Sequence, residues 1–238
     1  MADPDPLDLD AVVRRADPDR WLATRFIGDP AARAEVVALY AFNDELARVA
    51  PAVSNPLLGE IRLAWWRERL EELDGGAHAP AEPRLRAAAE LLLPRGVRGR
   101  DLAALEAGWV RMFDPFPWDV GTSEAIWFRG RLLFALAAKL LGRTGDDIEE
   151  AGGLWALADA ARHCSDSMSR TMLIGQGHAF ARGLARLRFA SALRPLSMLA
   201  AIAARDCQRG DPFEPEATPR RAAAMLRHRL TGRLAKPV

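Results

Sequence analysis

Asp17-Pro18, Asp29-Pro30 and Asn55-Pro56 constrain this chain more than any other feature. Each places a helix-capping side chain directly before a proline, which favours the first helical position because it lacks a donor and its φ is preset. Behind these pairs, apolar residues recur at helical spacing. From Pro30 to about Arg48 the stripe is Val36, Leu39, Tyr40 and Leu46. From Pro56 to about Leu73, the residues Leu57, Leu58, Ile61, Trp65 and Leu73 fall near one face, with Glu60, Arg67, Glu68 and Glu71 on the other. This pattern predicts that Trp65 is core and that Trp66, about 100° further round, is partly exposed.

The same reading predicts helices near residues 10–15, 18–27, 84–93, 99–112, 122–141, 147–164, 178–189, 192–209 and 219–231. Asp146 with Glu149 supplies a capping-box start for one of them. No segment alternates strictly and β-branched residues are sparse, so no strand competes. The breakers between helices have the lengths of connections within a bundle. One all-α domain over residues 1–238 is the expectation.

Half of the 238 residues are hydrophobic, enough for a sizeable core, and the net charge is +1 with both signs interspersed. That balance argues against a nucleic-acid partner held by bulk charge. Of 33 basic residues only Lys139 and Lys236 are lysines; the remaining arginines can fork onto carboxylates or phosphates. Cys164 and Cys207 stand far apart without a C-x-x-C and read as buried thiols of a reducing compartment. The acidic Met1–Asp10 stretch is unlike a signal peptide. The longest apolar run, 132–141, is interrupted by Lys139 and too short to span a bilayer. The expected location is cytoplasmic, with any membrane contact peripheral at the inner membrane.

Asp19-Arg-Trp-Leu-Ala, Ala38-Leu-Tyr-Ala-Phe42 and Pro56-Leu-Leu-Gly-Glu-Ile-Arg-Leu-Ala-Trp-Trp66-Arg67 resemble the opening of the squalene/phytoene synthase family. Residues 152–166, 178–205 and 221–233 resemble its later helices. The resemblance implies an isoprenoid-synthase-type bundle around a central cavity. It also implies head-to-head joining of prenyl diphosphates with magnesium held by aspartates on two helices. Magnesium takes carboxylate oxygens in near-octahedral geometry together with substrate phosphates.

Those aspartates are absent here. The family's first motif, Cys-Arg-x-x-Asp-Asp-x-x-Asp after Tyr-Ala-Phe, falls on Ala47, Arg48 and Pro51. Asp44 and Glu45 are acidic but sit about a turn too early. The second motif falls on Asp159–Ser167, where Arg162 matches and His163 and Ser167 replace the aspartates. Spacings of four and three put Asp159, His163 and Asp166 on one helical face if the helix continues through them. Histidine suits zinc or iron better than magnesium, and no metal cofactor is expected. Head-group or polar-cavity candidates are Asp44, Glu45, Arg48, Asp159, Arg162, His163 and Asp166. Apolar-pocket candidates are Phe42, Leu46, Trp127, Phe128, Leu132 and Leu136.

No other catalytic motif replaces the lost one. The expected function is therefore a catalytically inactive relative that binds a prenyl lipid or a protein partner. The Tyr40-Ala-Phe-Asn-Asp-Glu-Leu-Ala47 variant of the motif resembles a branch of the family that includes an assembly factor for respiratory NADH dehydrogenase. The alternative is a working prenyltransferase with displaced magnesium ligands Asp44, Glu45, Asp159 and Asp166.

Overall fold

The three Asx-Pro pairs do open helices. In the computed structural model, Asp17 accepts a hydrogen bond from the amide of Arg20, Asp29 from Ala31 and Asn55 from Leu57. The structure describes residues 8–53 and 55–234. Residues 1–7 of the acidic N-terminal stretch, and Lys236, lie outside them. Among the described residues every regular element is helical, so the chain is all-α, as an isoprenoid-synthase-type bundle requires. The backbone falls into two compact units, residues 1–113 and 114–238.

The first unit contains α1 (Leu9–Ala16), α2 (Pro18–Thr24), α3 (Pro30–Ala47), α4 (Pro56–Asp74), α5 (Pro83–Ala87), α6 (Gly99–Ala103) and α7 (Glu106–Val110). A π turn at Ala88–Leu92 continues α5. Helix α3 is its centre, against which α1, α2, α5 and α7 pack. Val36, Leu39, Tyr40, Phe42 and Leu46 are all buried, as the sequence stripe predicts. The helix expected at 99–112 is interrupted at Ala104–Leu105, giving α6 and α7.

Helix α4 turns a different face inward from the one predicted. Gly59, Leu63, Trp66, Leu70 and Leu73 are buried, and Trp66 meets Phe42 edge-on at 5.7 Å between ring centroids. Leu57, Leu58, Ile61 and Trp65 are 42–59% exposed. Both faces of α4 carry apolar residues, so periodicity alone could not choose between them. The neighbours chose: the Gly99 end of α6 lies so close that a Cβ there would sit 1.9 Å from the Leu70 carbonyl oxygen. Asp74 fixes this contact by accepting from the amides of Gly99 and Arg100.

The second unit contains α8 (Val120–Leu140), α9 (Asp146–His163), α10 (Ser167–Leu184), α11 (Arg194–Arg209) and α12 (Pro219–Thr231). Helix α9 is packed on by α8, α10 and α11, and α12 lies on α11. Residues 151–158 of α9 are buried on every side, which is why this helix is not amphipathic. Gly130 of α8 and Gly152 of α9 let the two backbones meet; a Cβ on either would stand 2.2 Å from the other's carbonyl oxygen. The helix expected at 178–189 begins a full eleven residues earlier, at Ser167, and ends at Leu184. Its start is set by the Asp166 cap, not by an apolar stripe, since its first turns are largely polar.

Candidate functional site

In the first unit, the acidic residues nearest the degraded motif are already paired. Asp44, in the last turns of α3, is buried and ion-paired with Arg20 of α2. Arg20 also lies 3.1 Å from the Asp17 carboxylate. Its guanidinium sits 5.2 Å from the centre of the Tyr40 ring. Burial pushes the Tyr40 hydroxyl well above the usual phenol range, so the group is a neutral core residue. Glu45 is bridged by Arg84 at 3.2 Å and by Arg48 at 3.7 Å. Arg48 is otherwise largely in solvent. Phe42 and Leu46 are buried beside this cluster.

In the second unit, α9 brings Asp159 and His163 together as their spacing predicts. The two approach to 3.5 Å, and His163 Nδ1 donates to the Asp159 carbonyl at 2.9 Å. Both sit at the exposed end of the helix, where such a pair contributes little. Asp166 departs from the expectation of a shared face, because α9 ends at His163 and Cys164 is extended. Asp166 instead caps α10, accepting from the amide and the hydroxyl of Ser169 at 2.8 and 2.7 Å. Those hydrogen bonds, the backbone one first, hold its carboxyl below the ordinary range.

Arg162 is turned into the protein. It donates to the Glu214 carbonyl at 2.8 Å and to Asp206 at 2.7 Å, and packs 5.1 Å over the Phe213 ring. Arg221 takes the other oxygen of Asp206 at 2.6 Å. This Asp206-centred network ties α9, α11 and α12 together. Sequence reading missed Asp206 and Arg221, whose pairing spans fifteen residues and leaves no local signal.

The apolar candidates divide in the same way. Trp127 stacks on Phe180 at 5.4 Å, sits under the Arg131 guanidinium at 4.6 Å and fills the space left by Gly153. Phe128 is 57% exposed. Leu136 is buried and Leu132 is half-buried.

Magnesium needs several uncommitted oxygens converging on one point. Asp44 and Glu45 each face an arginine, and Asp166 is spent on a helix cap. Among the described residues no group of three or more His, Cys, Asp or Glu side chains is arranged to hold a metal ion. The residues present do not fit the family's magnesium cluster. Burial raises both free thiols, Cys207 to about 12, so neither is an activated nucleophile. Among the described residues no helix is long and apolar enough to cross a membrane.

No curated protein and no solved structure matches the chain. The sequence model of the squalene/phytoene synthase family matches residues 13–114. The matched stretch runs from α1 through α7 and contains the Tyr40-Ala-Phe42 and Trp65-Trp66-Arg67 segments. The counterpart of the second aspartate motif, 159–167, lies beyond it. Over residues 13–114, less than half of the chain, the sequence is similar to the squalene/phytoene synthase family.

Proposed function

We propose that this protein is a non-catalytic relative of the squalene and phytoene synthases whose work is binding. The observation that carries this reading is the state of Asp44. It is the buried one of the two acidic residues, Asp44 and Glu45, that precede the lost first motif, and its charge is spent on Arg20 inside the first unit. A carboxylate neutralised by a buried guanidinium is a poor magnesium ligand, and ionising a prenyl diphosphate calls for strong charge compensation on the leaving group.

The ligand is a prenyl lipid or a protein partner. The exposed α4 face of Leu57, Leu58, Ile61 and Trp65 favours the protein, since a contiguous apolar surface of this kind marks interaction sites. An assembly role, with respiratory NADH dehydrogenase as the complex suggested by the motif variant at Tyr40–Ala47, follows from that.

The direct test is incubation with farnesyl or geranylgeranyl diphosphate and magnesium. No squalene or phytoene is expected. Product that disappears in Asp159→Ala would establish the displaced-ligand prenyltransferase instead. For the assembly role, loss of the protein should lower the amount of assembled NADH dehydrogenase. The wild-type chain should restore it, and an Ile61→Ser/Trp65→Ser chain should not. An unchanged dehydrogenase level removes that role.

A further inference from the structure

A cleft of about 770 Å³ opens among α10, α11 and α12, wholly within the second unit. Helix α12 lines it with Arg220, Ala223, Ala224 and Arg227, a spacing that places all four on one helical face. Helix α11 contributes Arg205, Gln208 and Arg209, and α10 contributes His178. The carboxylates at the cleft are already neutralised. Glu214 is held by Arg205 at 2.9 Å and accepts the Thr218 hydroxyl at 2.5 Å. Asp206 is shared between Arg162 and Arg221.

The positive charge is therefore uncompensated. Among the described residues, Arg209, Arg220 and Arg227 have no carboxylate partner; Arg209 donates only to the Pro212 carbonyl, at 3.2 Å. Like charges gathered in a concave surface focus a positive potential into it. Gln208 adds a donor: its amide nitrogen has no hydrogen-bond partner, and rotation of the side chain would offer it to a ligand oxygen. The two alanines keep the floor low, so the guanidinium groups of Arg220 and Arg227 can close on a ligand from both ends.

We propose that this cleft binds a phosphate-bearing ligand, gripped by Arg209, Arg220 and Arg227. The planar guanidinium matches phosphate oxygens in bidentate geometry and stays charged at all physiological pH values. The phosphate can belong to a free ester or to a lipid head group. Leu226 and Leu230, 50% and 72% exposed on the adjoining side of α12, would meet the apolar part of a lipid. This site is separate from the motif region in α3 and stands whether or not the protein is catalytic.

The test uses the full chain and an Arg220→Ala/Arg227→Ala variant. Both side chains are exposed, so folding should survive, and an unchanged thermal midpoint checks it. Inorganic pyrophosphate is titrated calorimetrically. Co-sedimentation is measured with vesicles of phosphatidylcholine alone and of equimolar phosphatidylcholine and phosphatidylglycerol. Wild type should bind pyrophosphate, the anionic vesicles or both, and the double variant should lose about tenfold or more in affinity. Binding of pyrophosphate assigns the site to soluble esters, and binding of anionic vesicles alone assigns it to head groups. Arg209→Gln gives an independent reading and should weaken the same interaction. Absence of binding to either probe, equal binding by the variants, or a preference for an acidic polyglutamate peptide overturns the proposal.

Discussion

Arg20 and Asp44 form an ion pair in which each side chain is only 5% exposed, joining α2 to α3 across twenty-four residues of sequence. The pair lies in the last turns of α3, about one turn before Ala47 and Arg48. Breaking a buried pair from one side strands the other charge, which costs far more than the net worth of the pair.

Asp44→Ala should therefore destabilise the protein by about 3 kcal/mol, read as a shift of the denaturant midpoint. An Arg20→Met/Asp44→Leu double variant should recover part of the loss, because it removes both charges of the pair, the remainder reflecting the contact that Asp17 loses with Arg20. Magnesium should leave the wild-type midpoint unchanged. A magnesium-dependent rise that Asp44→Ala abolishes would mean that Asp44 is a ligand after all.

Gly130 and Gly152 should tolerate no side chain. Each would drive a Cβ to 2.2 Å from backbone carbonyl oxygen, and backbone in the middle of packed helices cannot give way. Alanine at either position should cost about 3 kcal/mol or more. Gly175 in α10 is the control, since a Cβ there meets nothing within 4 Å. Gly175→Ala should stabilise by about 0.5–1 kcal/mol through helix propensity and the unfolded chain. Thermal melts of the three variants check the contrast.

His228 should make the protein acid-sensitive. The ring is buried; Nδ1 donates to the Arg233 carbonyl at 3.1 Å, and Nε2 accepts from the Ser197 hydroxyl at 2.8 Å. Burial, chiefly, lowers its pKa from 6.5 to about 4. The unfolded chain thus binds a proton more readily than the folded one. The neutral ring's contribution is complete above pH 6.5 and drains away as pH falls towards 4. The gap between the two values corresponds to about 3 kcal/mol. A His228→Gln variant should show a flatter dependence of thermal midpoint on pH between those limits. Parallel curves for the two proteins would show that His228 is not the titrating group.

The helices of this chain were legible in its sequence because their signals are local. A capping side chain, a proline at the first position and an apolar repeat act within four residues of one another, so Asp17, Asp29 and Asn55 announce α2, α3 and α4 unaided. The i, i+4 meeting of Asp159 and His163 was legible for the same reason. The missing aspartates at Ala47, Arg48 and Pro51 could likewise be read directly. What the tertiary structure alone decided depends on partners distant in sequence. Helix α4 carries apolar residues on two sides, and the packing of α6 and Phe42 buried Trp66 and left Trp65 outside. Asp44 looked like a spare magnesium ligand until Arg20 folded against it. Asp166 lost its place beside His163 because α9 stopped first and α10 needed a cap. Arg162 turned inward to Asp206, a residue forty-four positions away. Burial and ion pairing are set by which surfaces meet, and short-range pattern carries no information about that.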